Sequence, residues 1–138
     1  DCCAAIQRNI DWCQFNTEDY TTNVVCADVL QLLRDPYTVG VPQGDTFGIV
    51  TMGPPYEEVV YADLLSAVAN SPLVREDTIV VIEYPVELWG DIPHVFQGEE
   101  GKGVTMVGIR NRKYGRTVIA MYICNPTGKI ENAVSRPE

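Results

Sequence analysis

Two short apolar runs with a helical segment between them constrain the fold most. Residues 46–52 and 78–83 are continuously apolar apart from threonines and the final Glu83. Such runs are typical of strands that helices cover on both faces. Between them, residues 57–69 carry apolar side chains at helical spacing. The order strand, helix, strand predicts two neighbouring parallel strands in an α/β sheet.

The remaining elements are predicted from caps, breakers and turn residues. The residues from Asn125 onwards are polar and are expected to form a loosely held tail, so we divide the chain into a domain at 1–124 and a tail at 125–138. The other predicted elements are a helix capped by Asp1, a buried strand at 23–27, a helix at 29–34 capped by Asp28, loops at 36–45 and 84–103, and an antiparallel hairpin with strands at 104–112 and 116–124 around a turn at 113–115.

Charge is unevenly distributed along the chain. A formal net charge of −9 and a pI near 4.5 argue against a general nucleic-acid binder, which usually carries a basic field. Four of the ten basic residues nevertheless fall within seven positions of the predicted hairpin, namely Arg110, Arg112, Lys113 and Arg116. This patch is either an RNA contact or a solvated hairpin tip.

The five cysteines form no C-x-x-C pair, and the only histidine, His94, has no cysteine near it in sequence. We therefore predict no metal site. Their irregular spacing and apolar neighbours predict reduced, buried thiols in a reducing, intracellular compartment. The longest apolar run, residues 79–82, is far shorter than the roughly 20 residues that a membrane-spanning helix needs.

Three candidate site features follow predicted strands: Asp28, the Gly53-Pro54-Pro55-Tyr56 loop and Glu83. Ligands of open parallel sheets bind beyond the carboxyl ends of the strands. The Pro-Pro pair is rigid and has no N–H donors, so its carbonyls are free to accept hydrogen bonds. Each feature also has a structural alternative: Asp28 as a helix cap, Glu83 as an acceptor for nearby backbone amides, and Tyr56 as an anchor for the following helix.

Taken together, residues 46–58, the spacing to 78–83, and residues 112–122 resemble the guanine-N2 methyltransferases of the RsmD type, which act on small-subunit ribosomal RNA. That family has an (Asp/Asn)-Pro-Pro-(Tyr/Phe) loop after its fourth strand and ends in a hairpin with an Arg-Arg/Lys-(Tyr/Phe)-Gly-x-Thr turn. Residues 54–58 are similar to the Pro-Pro-Tyr-Glu-Glu version of plant-like relatives, which suggests a chloroplast or another organelle.

The resemblance implies a Rossmann-like, class I S-adenosylmethionine-dependent methyltransferase fold of the α/β class. Its sheet would be mostly parallel, with a C-terminal antiparallel hairpin and the strand order 3-2-1-4-5-7-6. The implied roles are Asp1 near the cofactor ribose, Ala27 and Asp28 beside the adenine, Gly53, Pro54, Pro55 and Tyr56 in the catalytic loop, and Arg112, Lys113 and Arg116 on RNA phosphates. The Pro54 carbonyl would accept from the target amine, and Tyr56 would stack on the flipped base.

Two departures from the family pattern shape these expectations. Gly53 stands where the family has Asp or Asn, and losing that acceptor should cost roughly 1–3 kcal/mol, or about 10- to 100-fold in rate. No G-x-G turn joins a strand to a helix; residues 98–103 are glycine-rich but follow no predicted strand.

The second departure leads us to expect that strands 1 and 2 are missing from this sequence. Residues 46–52 would then expose one edge, which a preceding segment or a protein partner would complete. The alternatives to RNA methylation are a catalytically silent structural subunit of a larger assembly, and a methyltransferase for another amine, in DNA adenine or a protein side chain.

Overall fold

The structure, a computed structural model, describes residues 1–57 and 59–130. Within these residues it contains three α-helices, two 3-10 turns and one five-stranded sheet. The helices are α1 (Cys2–Cys13), α2 (Val29–Arg34) and α3 (Tyr61–Ala69), the 3-10 turns are Pro36–Thr38 and Val86–Leu88, and the strands are β1 (Ile49–Met52), β2 (Ile79–Pro85), β3 (Val95–Gln97), β4 (Thr105–Tyr114) and β5 (Thr117–Cys124). None of the described helices is long and apolar enough to cross a membrane.

The strands lie in the order β1-β2-β5-β4-β3. Only β1 and β2 are parallel, and the other neighbours pair antiparallel, so the described sheet is mixed rather than mostly parallel as expected. The first four correspond to strands 4, 5, 7 and 6 of the expected order, and their arrangement is confirmed. Strand β3 was predicted as loop; it has three residues, too few for a readable pattern, and it is defined by its pairing with β4.

One face of the sheet carries the core. Val80, Ile82 and Tyr84 of β2 are at most 1% exposed, and they belong to one apolar cluster with Leu64 and Val68 of α3. Full burial of each such aliphatic side chain contributes about 1.5–3 kcal/mol. Helix α3 begins at Tyr61, with Val60 as its N-cap, rather than at the predicted residue 57.

The opposite face of the sheet is only half-buried, so the prediction that helices cover β1 and β2 on both faces is wrong. Along β2 the fully buried side chains alternate with partly exposed ones, and along β1 exposed residues alternate with half-buried ones. Ile49 remains 64% exposed. None of the side chains of α1 is fully buried, and none belongs to the apolar cluster. Apolar composition shows that a strand can be buried on both faces, but burial also requires a layer that covers each face.

The predicted strand at residues 23–27 is also wrong. None of the described strands includes these residues. A strand exists only through hydrogen bonds to a neighbour, and among the described strands β1, at the edge of the sheet, pairs with β2 alone. The Asn23 side-chain amide instead donates to the Gly40 carbonyl over 2.8 Å.

The predicted helix caps and the predicted hairpin are present in the structure. Asp1 caps α1 by accepting from the Cys3 N–H, and Asp28 caps α2 by accepting from two backbone N–H groups. Strands β4 and β5 form the predicted hairpin, whose turn begins at Gly115 with a φ of 62°, a backbone conformation that favours glycine.

The first residues of the polar tail are hydrogen-bonded to the body of the protein. The Asn125 side-chain oxygen accepts from the Thr105 N–H over 2.8 Å, and the Thr127 N–H donates to Asp77 over 2.9 Å. The Thr127 hydroxyl also donates to the Asp77 carboxylate, and this hydrogen bond, followed by the one from the N–H, holds the pKa of Asp77 below its ordinary value. Residues 131–138 of the predicted tail lie outside the described residues.

Candidate active site

The Gly53–Tyr56 loop lies at the carboxyl ends of the two parallel strands. Strand β1 ends at Met52, which pairs with Ile82 of β2. The residues that follow these two, Gly53 and Glu83, are therefore neighbours. A Cβ atom built on Gly53 would lie 3.4 Å from Glu83 Oε2. The loop and the end of β2 therefore share one site.

A hydrogen-bond network fixes Tyr56 within this site. Its hydroxyl donates to Glu83 Oε1 over 2.6 Å and lies 3.1 Å from Thr117 Oγ1. Thr117 begins β5 and pairs with Pro85 in the sheet. The half-buried Tyr56 thus joins the loop after β1 to the ends of two further strands.

Negative charge and burial both act on the tyrosines here. The hydrogen bond to the Glu83 carboxylate raises the pKa of Tyr56, because the acceptor favours the neutral phenol. Burial raises the pKa of Tyr61 to about 12. The Tyr61 hydroxyl donates to the Glu83 backbone carbonyl over 3.1 Å and so ties the start of α3 to β2.

The contacts of Glu83 and Tyr56 bear on the structural alternatives for these two residues. The Glu83 carboxylate accepts from a tyrosine hydroxyl rather than from nearby backbone amides. Tyr56 does not begin a helix, since α3 starts at Tyr61 with Val60 as its cap. The sequence identified Glu83 as a candidate site residue from its position at the end of an apolar strand, but it assigned no role to Glu83 or to Thr117.

The residues predicted to hold the cofactor lie at two helix starts. Asp28 Oδ1 accepts from the N–H groups of Leu30 and Gln31 at 3.0 and 3.1 Å, and the Asp1 carboxylate accepts from Cys3. An Asp1 carboxylate oxygen and the Cys3 and Cys26 sulfurs lie within 4.8 Å of one another. Because Cys26 precedes Ala27 and Asp28, the structure brings the two predicted cofactor-binding segments together.

The cysteines are less buried than predicted. Cys2, Cys13 and Cys26 are exposed, Cys3 is half-buried, and of the five only Cys124 is buried. Sequence spacing also gave no indication that Asp1, Cys3 and Cys26 would meet, although carboxylates and thiolates are metal-ligand types. A closed zinc site needs four ligands, and this group offers three.

The predicted RNA contacts lie on the hairpin. Arg112 and Lys113 are exposed near the end of β4, whereas Arg116 in the turn forms an ion pair with Glu87. A shallow groove of about 350 Å³ runs along the hairpin. It is lined by Arg110, Arg112, Tyr114, Ile119 and Met121.

Comparisons with known proteins bear on the family and the fold. The family model described as "Conserved hypothetical protein 95" matches residues 1–123. The chain belongs to this family. It is the RsmD-like family that the loop and hairpin motifs indicated. No curated protein shows a significant match to this member.

Solved structures similar to this Conserved hypothetical protein 95 member support the Rossmann-like fold. A conserved hypothetical protein of Streptococcus pyogenes has a TM-score of 0.62 at 20% identity, covering 87% of this chain and 63% of its own. A "putative methylase" of Haemophilus influenzae has a TM-score of 0.61 at 15% identity, with coverages of 90% and 66%. A "putative methyltransferase" of Escherichia coli has a TM-score of 0.59 at 12% identity, with coverages of 91% and 58%. The chain thus spans about three fifths of the length of these proteins.

Proposed function

We propose that this protein contributes the substrate-binding half of an S-adenosylmethionine-dependent methyltransferase, and that it methylates the exocyclic amine of a guanine in small-subunit ribosomal RNA. The observation that carries the proposal is the Gly53–Tyr56 loop at the carboxyl ends of β1 and β2, with the Tyr56 hydroxyl held by Glu83. Ligands of α/β sheets bind at such ends. Family membership and the loop motif support the choice of reaction.

The residues of the loop would bind and orient the target amine. S-adenosylmethionine, when bound, supplies an electrophilic methyl group. Pro54 contributes a carbonyl that accepts one amine hydrogen, and this points the nitrogen lone pair away from the loop. The Tyr56 ring offers a stacking face to the flipped base, and its hydroxyl bonds prevent the ring from swinging away.

Three residues near the start of the chain fit the adenosine part of the cofactor. Asp28 uses Oδ1 to cap α2, and a carboxylate has lone pairs left to accept from an adenine amino group or a ribose hydroxyl. Asp1 lies close to Cys26, beside Ala27 and Asp28, as a ribose ligand would. The close approach of these segments supports assigning Asp1, Ala27 and Asp28 to one nucleoside.

The hairpin is the proposed RNA-contacting surface. Arg112 and Lys113 are exposed, and phosphate contacts position a nucleic acid without reading its sequence. The acidic remainder of the chain repels RNA elsewhere, so binding would be directed to this edge.

We further propose that the outer edge of β1 pairs with a strand from a preceding segment or from a protein partner. Among the described residues, strand β1 has a neighbour on one side only, and the similar solved structures belong to chains longer than this one. A reducing compartment, and within it an organelle, remains our proposal from the cysteines and the plant-like loop.

A catalytically silent structural subunit is the second candidate. Gly53, in place of the family's Asp or Asn, favours it, since glycine offers no side-chain acceptor. Methylation of another amine, in DNA adenine or a protein side chain, is a third outcome of the same experiment.

The test uses the full-length protein with radiolabelled S-adenosylmethionine and small ribosomal subunits. Calorimetric binding of S-adenosylhomocysteine together with label at guanine N2 would support the proposed function. Binding of S-adenosylhomocysteine without labelling of the RNA would indicate that the substrate is another amine. No binding and no labelling would reject the enzyme and favour the silent subunit.

A further inference from the structure

Gly53 and Glu83 stand in a complementary relation at the end of the parallel strand pair. Gly53 lacks a side chain where the resembled family carries an acceptor. Glu83 Oε2 lies 3.4 Å from the position that a Cβ atom on Gly53 would occupy. We propose that Glu83 supplies, from β2, the acceptor that position 53 lacks, and that its Oε2 binds the target amine opposite the Pro54 carbonyl. This inference rests on the proposed methyltransferase function.

The two oxygens of Glu83 have separate environments. Oε1 accepts from the Tyr56 hydroxyl over 2.6 Å, which fixes the rotation of the carboxylate. Oε2 faces Gly53, and among the described residues no hydrogen-bond donor of the protein contacts it. The carboxylate is half-exposed and borders the loop, so a ligand can reach it. A fixed acceptor with an open lone pair is what a planar amine requires.

The reaction then has a defined proton path. The amine nitrogen forms a bond to the methyl carbon while the carbon–sulfur bond of the sulfonium breaks, and that electron pair stays on sulfur. One amine proton passes to Glu83 Oε2 and from there to water. The products are the N-methylated base and S-adenosylhomocysteine, so charge and atoms balance.

The same geometry explains why glycine is suitable at position 53. An aspartate there would set a second carboxylate against Glu83, and two like charges in contact disfavour ionisation of both. Glycine leaves room for the amine to approach Oε2. The proposed acceptor in this protein therefore lies on the neighbouring strand rather than in the loop.

The experiment measures single-turnover methyl transfer and S-adenosylhomocysteine affinity in the full-length protein. Glu83→Gln should lower the transfer rate about 10- to 100-fold, as loss of one aligned acceptor does, with S-adenosylhomocysteine affinity unchanged. The matched control Glu76→Gln makes the same chemical change in an exposed residue before the other end of β2, and should leave the rate unchanged. Adding Gly53→Asp to Glu83→Gln should restore at least part of the lost rate, because the acceptor returns by the family's own route.

Three outcomes would overturn the proposal. Equal rates for Glu83→Gln and Glu76→Gln in an active enzyme would reject the acceptor role of Glu83 but not the proposed methyltransferase function. A Tyr56→Phe variant that loses as much as Glu83→Gln, with no recovery from Gly53→Asp, would make Glu83 a positioning residue for Tyr56. A wild-type protein that neither binds S-adenosylhomocysteine nor transfers a methyl group would reject this inference together with the proposed function.

Discussion

The Tyr56 hydroxyl donates a 2.6 Å hydrogen bond to Glu83 Oε1 across 27 positions of sequence. This contact joins the loop after β1 to the end of β2, and Thr117 extends it to the hairpin. A rigid Pro-Pro segment would otherwise be anchored only through its two ends. The site is therefore held by side chains from three elements, and each of them can be tested separately.

The first prediction concerns the titration of Tyr56. Its pKa is raised because the neutral phenol donates to an anionic acceptor, so Glu83→Gln should lower that pKa toward the ordinary 10.0. A phenol with a raised folded-state pKa stabilises the protein below pH 10, and this contribution is lost as the pH rises through the folded-state pKa. Ultraviolet titration of wild type, Glu83→Gln and Tyr56→Phe isolates the transition. Superimposable curves for wild type and Glu83→Gln would contradict the contact.

The second prediction separates the two roles given to Asp28. Asp28→Ala removes the acceptor for the Leu30 and Gln31 N–H groups and should lower the free energy of unfolding by about 0.5–2 kcal/mol. Asp28→Asn keeps an N-cap oxygen and should preserve stability while weakening S-adenosylhomocysteine binding. Urea denaturation and calorimetry measure the two effects. Undiminished affinity in Asp28→Asn would confine this residue to capping.

The third prediction is that Cys124 reacts far more slowly than the other thiols. Its side chain is fully buried, and burial raises its pKa to about 11 from 9.0. Because the thiolate is the nucleophile, the shift alone should slow its reaction with a disulfide reagent by roughly 100-fold near neutral pH. Cys2, Cys13 and Cys26 are exposed and should react in the fast phase. A Cys124→Ser variant that loses fast-phase amplitude would show that the site is open.

The fourth prediction tests the hairpin as an RNA contact. Replacing Arg112 and Lys113 by alanine should make the slope of log binding constant against log salt concentration less negative by about 1.4–1.8, if each residue neutralises one phosphate. Arg116→Ala should change the slope less, because that guanidinium is already paired with Glu87. The control removes two exposed charges elsewhere, Arg8 and Lys102, and should leave the slope unchanged. Equal slope changes in both double variants would mean that general charge, not the hairpin, governs binding.

Features set by local interactions could be predicted from the sequence. Asp28 caps α2 through residues two and three positions ahead, so its pattern is visible in a few letters. The Gly115 turn is equally local. The order of β1, β2, β5 and β4 required more: it followed from the resemblance, because periodicity alone does not reveal which strands become neighbours.

Features that depend on a distant neighbour could not be predicted. Residues 23–27 have strand-like composition but belong to none of the described strands, and an apolar run cannot show whether a covering layer is present. The role of Glu83 depends on Tyr56 and Gly53, which are remote in sequence. Arg110 joins the groove because an irregularity between Gly108 and Arg110 shifts the register of β4 against β5.

The position of β1 has a practical consequence for handling this protein in solution. Among the described residues no strand pairs with its outer side, and its Ile49 is 64% exposed, so this edge can recruit any compatible strand. Chains produced alone at high concentration would pair with one another along β1 and aggregate. Co-production with a polypeptide that docks along β1 should therefore improve yield and monodispersity before any enzymology is attempted.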